Sequence, residues 1–262
     1  MTFSLGAGFR HSTYGPKSDP GPEYWLGVAK QMSAKFPGSH PETIWIVGEL
    51  ADKGTRLSFP GQPTDPLIQH TATDLNEEVF KIFDLNGVKV WLQVEPGHAD
   101  VKKLLYEVIT HYIHHPCISG VGVDVEWHQS SDPDHGVPVD DATASAWLAL
   151  ARKFNSNYRL FLKHWLPEKM PPHLREGLFF IDDGQGFSSL DGMLADFRTW
   201  ANAFNPAPVG FQVGYPGDHK WWGKFDDPPA EIGSALLKSF PNTAGLFWVD
   251  FSVLEVFPPS NA

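Results

Sequence analysis

The chain alternates between short apolar runs and longer stretches in which apolar residues recur at spacings of three and four. The short runs are rich in β-branched and aromatic residues and are almost continuously hydrophobic, which is typical of strands covered on both faces. The longer stretches have the spacing of amphipathic helices. This regular alternation predicts parallel strands joined by helices.

Eight runs are predicted to be strands: Phe3–Phe9, Thr43–Glu49, Lys89–Glu95, Gly120–Glu126, Tyr158–His164, Leu178–Asp183, Pro208–Gly214 and Gly245–Asp250. Six stretches are predicted to be helices: Glu23–Phe36, Asn76–Leu85, Ala99–His115, Asp140–Phe154, Leu190–Phe204 and Ala230–Phe240. The fifth connection, near Pro171–Arg175, is short, and we expect an abbreviated closing helix after the eighth strand. Two segments rich in Gly or Pro, Gly15–Pro22 and Asp52–Pro66, are predicted to be loops that follow strands.

Eight strands separated by mostly helical connections in 262 residues predict one (β/α)8 barrel, with residues 1–262 forming a single catalytic domain. Such barrels typically take about 250 residues as one unit. A doubly wound open sheet is the structural alternative. It would usually carry a glycine-rich phosphate turn after its first strand, and Gly6-Ala-Gly8-Phe-Arg-His11 does not have that spacing.

Composition and charge limit the classes of binding partner that we expect. The formal net charge of −11, without clustered Lys and Arg, argues against nucleic acid. No apolar run reaches the roughly 18 residues of a membrane span. The first predicted strand begins almost at Met1, so we see no signal peptide, and secreted and cytoplasmic locations both stay open. A lone cysteine, Cys117, excludes an intrachain disulfide. We expect no cofactor, and the oligomeric state stays open.

In barrels of this type the active site lies at the carboxyl ends of the strands. Each predicted end contributes polar or aromatic residues: Arg10 and His11, Glu49, Gln93 and Glu95, Asp124 and Glu126, Lys163 with His164 and Trp165, Asp182 with Asp183 and Gln185, Gln212 with Tyr215 and Asp218, and Trp248 with Asp250. The candidate substrate-binding residues are Arg10, Glu49, Gln93, Lys163, Trp165, Asp182, Gln185, Gln212, Asp218, Trp248 and Asp250. Trp221 and Trp222, in the loop after the seventh strand, could form a stacking platform for a sugar ring or could simply pack the loop.

The fourth predicted strand carries the strongest candidates for catalysis. Side chains alternate along a strand, so Gly122, Asp124 and Glu126 should share the face that points into the barrel. Burial and like charge would raise the pKa of one carboxyl group and keep it protonated at neutral pH. A structural ion network with Lys163 or Arg10 is the alternative interpretation.

Glu95 ends the neighbouring predicted strand and could be a second catalytic carboxylate or a structural partner for Lys163. Its distance from Glu126 would separate a protein nucleophile from an inverting mechanism. His111, His114 and His115 have spacing suited to metal ligands. They precede the fourth strand at the opposite end of the barrel, which favours a solvated helix end.

The segment Ser119–Glu126 resembles the strand-four signature of family-18 glycoside hydrolases, the chitinases and related endo-N-acetylglucosaminidases. Asp124 and Glu126 match the last aspartate and the glutamate of that signature, and Gly120 matches its glycine. Ser119 and Gly122 stand where the family has two earlier aspartates. The resemblance covers the barrel pattern and one or two strands.

Two further likenesses bear on the family. Gly245–Asp250 is similar to the family's eighth strand, whose tryptophan, here Trp248, floors the sugar site. The Asp-x-Glu strand of family-25 lysozymes is equally similar to the fourth strand. That family ends its first strand with an aspartate, where this chain has Phe9-Arg10-His11.

The family-18 resemblance implies a retaining glycoside hydrolase acting on an oligo- or polysaccharide that contains amino sugars. In that family the glutamate is the general acid, and the aspartate orients the substrate acetamido group, which attacks the anomeric carbon. Carried over, Glu126 would protonate the leaving oxygen and Asp124 would steady the acetamido group. Tyr215 would bind the acetamido carbonyl oxygen.

Two other classes stay open. One is a metal-dependent isomerase or aldolase that uses Glu95, Asp124 or Glu126 with His164 or Asp182 as ligands. The other is a sugar-binding barrel without catalysis, suggested by the two aspartates missing from the signature.

Overall fold

The chain forms a closed barrel of eight parallel strands, described by a computed structural model for residues 4–62 and 65–259. Ten strands, β1 to β10, span Gly6–His11, His40–Ala51, Gly54–Leu57, Ile68–His70, Lys89–Val94, Ile118–Asp124, Arg159–Lys163, Leu178–Asp182, Val209–Val213 and Thr243–Val249. The barrel strands follow the order β1, β2, β5, β6, β7, β8, β9 and β10, and β10 pairs with β1 to close the circle. The predicted (β/α)8 barrel is confirmed.

Within residues 4–62 and 65–259, eight α-helices surround the strands. Helices α1 to α8 span Pro22–Ala34, Glu77–Asn86, Val101–Tyr112, Asp141–Phe154, Leu190–Phe204, His219–Trp222, Pro228–Ser239 and Val253–Val256. All six predicted helices are present within a few residues of their expected ends. The connection from β7 to β8 holds only a 3-10 turn at Pro167–Lys169, and the closing helix α8 has four residues, as predicted.

Four of the longer helices begin at a residue whose side chain caps the first turn. Asp100, Asp140, Ser189 and Asp227 each accept a hydrogen bond from a backbone N–H two or three residues later. Such caps pair backbone donors that the helix itself leaves free. Across the two described ranges, no helix is long and apolar enough to cross a lipid bilayer.

The segment after β2 differs from the prediction. Gly54–Leu57 pairs antiparallel with β2, and β4 lies beside it, so part of the predicted loop Asp52–Pro66 is a strand. Asp52 makes the tight turn with a left-handed φ of 54°. Thr55 and Leu57 are buried and Arg56 is exposed. This alternation is only four residues long, too short to stand out in a segment rich in Gly and Pro.

The bounds of several strands also differ from the prediction, and two of these differences affect candidate site residues. β1 runs to His11, so Arg10 belongs to the strand, while its predicted start at Phe3 lies outside the described residues. β6 ends at Asp124, and Val125–Trp127 forms a 3-10 turn. The prediction that the strand continues to Glu126 is therefore wrong.

Side chains alternate between the two faces of each strand, so the barrel separates two layers of apolar residues. Side chains such as Val121, Val123 and Leu162 face the helices in the larger layer. The smaller layer fills the barrel interior with seven buried residues: Ile44, Trp91, Phe161, Phe179, Ile181, Ala244 and Phe247. We call this interior layer the aromatic plug. It is a packed floor beneath the carboxyl ends of the strands.

Gly122 supplies the space that one ring of the aromatic plug needs. A Cβ atom on Gly122 would lie 2.0 Å from Cζ of Phe161. Real carbon atoms do not approach so closely, and dense packing leaves the ring little room to move.

We expect Gly122→Ala to lower the free energy of unfolding by about 1–3 kcal/mol, the usual cost of overpacking a core. Urea denaturation measures this change. Gly27→Ala is the matched control, because the nearest atom to its added Cβ lies 3.8 Å away within α1. The control should gain about 0.5–1 kcal/mol from reduced backbone freedom. Equal effects of the two substitutions would contradict the packing argument.

Candidate active site

Asp124 and Glu126 meet at the carboxyl end of β6. Asp124 is the last residue of the strand and is fully buried. Glu126 reaches the same place through the 3-10 turn, and its side chain is 16% exposed. The two carboxyl groups share Lys163 as a neighbour, at 2.6 Å for Asp124 and 3.6 Å for Glu126.

Lys163 is the centre of the charged cluster. Its Nζ lies 2.6 Å from Oδ2 of Asp124 and 2.6 Å from Oδ2 of Asp183. Oε1 of Glu126 is 3.6 Å away. Lys163 ends β7 and is paired in register with Asp124 of β6. We refer to Lys163, Asp124, Glu126 and Asp183 as the lysine cluster.

Burial sets the protonation of the lysine cluster. Removal from water raises the pKa of Glu126 to about 7, while Lys163 opposes the rise and Asp183 and Glu95 add to it. The pKa of Asp124 is also raised, chiefly by burial and next by Glu126. Oδ2 of Asp124 faces Lys163 and accepts a hydrogen bond from Nε2 of Gln93 at 3.1 Å. We assign the mobile proton to Glu126, because these two donors favour a charged Asp124.

Glu95 lies next to the lysine cluster at the end of β5. Its Oε1 accepts a hydrogen bond from the Tyr14 hydroxyl, and its Oε2 accepts one from the backbone N–H of Leu50 at 2.9 Å. Burial raises the pKa of Glu95, and these two hydrogen bonds oppose the rise. Tyr14 is 46% exposed, so it stands between this carboxyl group and solvent.

The loop after β1 is fixed by two further carboxylates. Asp250 forms an ion pair of 2.7 Å with Arg10 and accepts hydrogen bonds from the backbone N–H and hydroxyl of Ser12. Glu49 accepts hydrogen bonds from the backbone N–H and hydroxyl of Thr13. Arg10, Glu49 and Asp250 therefore hold protein groups, and through this loop they position Tyr14.

Gln212 and Tyr215 are two further polar residues of the candidate site. Nε2 of Gln212 donates a hydrogen bond to the Tyr215 hydroxyl oxygen. Burial raises the pKa of Tyr215, and the charge of Asp183 raises it further, so the phenol stays protonated beside the lysine cluster. Gln93 and Gln212 are both fully buried.

Trp165 and Gln185 line a cavity beside the lysine cluster. The cavity has a volume of about 300 Å³, and its walls are formed by Trp165, Leu166, Asp183, Gly184, Gln185, Phe187 and Asp196. Trp165 is half-buried, so part of its indole face remains available. A larger groove of about 610 Å³ between α3 and α4 contains none of the lysine cluster.

Three tryptophans predicted to contact a sugar lie in the outer core instead. Trp248 is fully buried against Trp222 at 5.3 Å between ring centroids, and its Nε1 donates to Oγ of Ser252. Trp222 and Trp221 are 1% and 7% exposed. The predictions of a sugar floor at Trp248 and a stacking platform at Trp221 and Trp222 are therefore wrong. Trp248 alternates with Phe247, and it is Phe247 that points into the barrel.

Asp182 and Asp218 also lie outside the lysine cluster. In β8 the inward residues are Phe179 and Ile181, so Asp183 continues the inward face and Asp182 faces the helices. Oδ1 of Asp182 accepts a hydrogen bond from the backbone N–H of Gly184. Asp218 is buried beside the backbone of residues 186–187. Counting by twos from Phe179 would have selected Asp183.

The ligand set suggested for a metal-dependent enzyme is not assembled. His164 follows Lys163 in the alternation, and its Nδ1 accepts a hydrogen bond from the backbone N–H of Leu166. Like Asp182, it lies on the side away from the lysine cluster. The ammonium group of Lys163 stands between Asp124 and Asp183, where a cation would bind.

Comparisons with known proteins identify the fold. No family model matches the chain, and no curated protein matches it by sequence. Among solved structures, chitinase ChiC from Aspergillus fumigatus is similar, with a TM-score of 0.52, 12% identity, and coverage of 94% of this chain and 90% of that one. Bacteroides uniformis β-glucuronidase 2 has a TM-score of 0.53, 12% identity, and coverage of 94% and 30%. Parabacteroides merdae β-glucuronidase has a TM-score of 0.51, 11% identity, and coverage of 94% and 31%.

These likenesses support the (β/α)8 barrel fold. The chain spans less than a third of the length of the two β-glucuronidases, but most of the length of the chitinase. At 11–12% identity the agreement concerns the fold alone.

We expect Lys163→Met to lower the free energy of unfolding by about 3–5 kcal/mol at pH 8, because Asp124 and Asp183 lose their shared cation. Without Lys163 the pKa of Asp124 should rise further. A carboxyl group with a raised folded-state pKa contributes most stability below its unfolded pKa and loses it as pH rises. The loss should therefore be smaller at pH 5.

Urea denaturation at both pH values measures this difference. Lys153→Met, an exposed substitution on α4, is the control and should change stability by no more than about 0.5 kcal/mol. A loss that is the same at pH 5 and pH 8 would show that buried charge is not the cause.

Proposed function

We propose that the protein is a glycoside hydrolase in which Glu126 is the general acid and then the general base. The observation that carries this proposal is the buried Asp124 and Glu126 pair at the carboxyl end of the barrel, with the pKa of Glu126 raised to about 7. A carboxyl group that is partly protonated at neutral pH can donate to a leaving oxygen and later accept a proton from water. The occurrence of similar barrels in a chitinase and in β-glucuronidases supports this class.

The proposed reaction begins with proton transfer from Glu126 to the glycosidic oxygen. Lys163 and Gln93 keep Asp124 charged, so Asp124 can stabilise positive charge that develops on the sugar ring. After the leaving group departs, the carboxylate of Glu126 can take a proton from the incoming water. Lys163, 3.6 Å away, stabilises that carboxylate.

The buried oxygen atoms around the lysine cluster support a substrate rich in hydrogen-bond donors. Oε1 of Gln93, Oδ1 of Asp183 and Oε1 of Gln212 have no donor among the described residues. Buried acceptors need donors, and sugar hydroxyl groups provide several at short spacing. Trp165, at the wall of the adjoining cavity, offers a ring face for stacking.

We propose an amino-sugar oligo- or polysaccharide as the substrate and retention of the anomeric configuration. Two groups could attack the anomeric carbon. One is the substrate acetamido group, oriented by Asp124 with its carbonyl oxygen bound by Tyr215, and the other is the carboxylate of Glu95. Both routes use Glu126 in the same role.

We expect Glu126→Gln to remove nearly all hydrolysis while leaving the fold intact, because glutamine has the shape of the acid but no proton to transfer. The measurement is the release of reducing ends from a panel of glycans. Glu168→Gln, an exposed carboxylate in the turn after β7, is the control and should keep full activity. Full turnover by Glu126→Gln would sink the proposal, and glycan binding by the native protein without turnover would indicate a sugar-binding barrel.

The pH dependence of kcat gives a second test. Since Glu126 must carry a proton to act as the acid, kcat should fall as pH rises above about 7. Initial rates between pH 5 and pH 9 at saturating substrate would measure this alkaline limb. A kcat that stays constant from pH 7 to pH 9 would assign proton donation to another group.

A further inference from the structure

A second group of ligating side chains lies at the opposite end of the barrel from the lysine cluster. Glu77 and Asp84 belong to α2, and His114 and His115 belong to the connection from α3 to the amino-terminal end of β6. His115 is 2% exposed, so the predicted solvated helix end is wrong for this residue. A helix end that sequence places near solvent is here covered by α2.

Three atoms in this group converge at distances that suit a metal ion. Oε2 of Glu77 is 3.1 Å from Nε2 of His115 and 3.3 Å from Nε2 of His114. Ligands bound to zinc at about 2.0–2.1 Å in a tetrahedron lie about 3.3 Å from one another. The two distances from Oε2 of Glu77 match tetrahedral edges, and all three ligand atoms lie within 4.8 Å of one another.

Asp84 orients the imidazole of His115. Its Oδ2 is 2.6 Å from Nδ1 of His115, a hydrogen-bond distance that is too short for two ligands of one ion. A proton on Nδ1 donated to Asp84 leaves the lone pair of Nε2 directed at Glu77 and His114. Metal-binding histidines are commonly held in this way by a carboxylate.

A different grouping, Asp84, His115 and Cys117, is also compact but has other partners. Oδ1 of Asp84 accepts a hydrogen bond from the backbone N–H of Cys117. The thiol of Cys117 is buried and lies 3.9 Å from the carbonyl oxygen of Phe80. These contacts commit Asp84 and Cys117 to the protein, whereas Nε2 of His115 faces Oε2 of Glu77 at hydrogen-bond distance.

We propose that Glu77, His114 and His115 bind a zinc-like transition-metal ion, with Asp84 as the supporting carboxylate. His114 has a side chain that is 55% exposed and gives the ion access from solvent, and the fourth position is open to water. Lys81 contacts the other carboxylate oxygen, Oε1 of Glu77, at 3.1 Å and is largely exposed, so it can remain in place. The ion would join α2 to the connection before β6, independently of any glycosidase activity.

The test is titration of the untagged full chain with ZnCl₂. Calorimetry measures the binding, and the melting temperature is measured at each Zn²⁺ concentration. We expect one Zn²⁺ per chain and a melting temperature that rises with Zn²⁺ concentration. Mg²⁺ should have no comparable effect, because it prefers oxygen ligands.

Variants locate the site. His114→Ala and Glu77→Gln each remove a ligand and should weaken Zn²⁺ binding by more than about tenfold. Asp84→Asn turns an amide donor toward Nδ1 of His115, favours a proton on Nε2, and should weaken binding by roughly 10- to 100-fold. Circular dichroism without zinc confirms that each variant is folded.

His111→Ala is the matched control. His111 lies one turn earlier and forms its own hydrogen bond of 2.6 Å with Asp74, so this variant should bind Zn²⁺ like the native protein. Absence of uptake by the native protein, or equal affinity in His114→Ala and His111→Ala, would overturn the proposal.

Discussion

The arrangement at the mouth of the barrel depends on one buried ammonium group. Lys163 stands between Asp124 and Asp183, so two carboxylates can remain in a space that excludes water. The proton on Glu126 depends on the same exclusion of water. Burial is the main cause of the raised pKa of Glu126, the charges of Asp183 and Glu95 add to the rise, and Lys163 opposes it.

The barrel supplies the geometry that this balance requires. Asp124 and Lys163 are register partners on adjacent strands, so backbone pairing sets how closely their side chains approach. Below them lies the aromatic plug, which consists of buried apolar side chains. Above them the loop after β1, tied down by Asp250 and Glu49, brings Tyr14 to Glu95.

Much of this architecture could be predicted because period-two and helical spacings are local properties. They gave eight barrel strands, six helices and the inward direction of Asp124. The incorrect predictions occur where a shift of one position along a strand reverses the direction in which the side chain points. Trp248 and Asp182 are each one position away from an inward residue, so a correct strand still gave the wrong face. Glu126 reaches the site through a 3-10 turn, and His115 is buried by contacts with α2, which are distant in sequence.

The aromatic plug also restricts the route by which ligands can reach the lysine cluster. Because the interior beneath the lysine cluster is filled by Trp91, Phe161, Phe179 and Phe247, whatever binds there must arrive and depart through the same opening. In a hydrolytic reaction, water and the departing half of the substrate would then pass through the same opening. The loops around that opening would then control the order in which water enters and product leaves. Those loops can change in sequence without disturbing the packing of the aromatic plug.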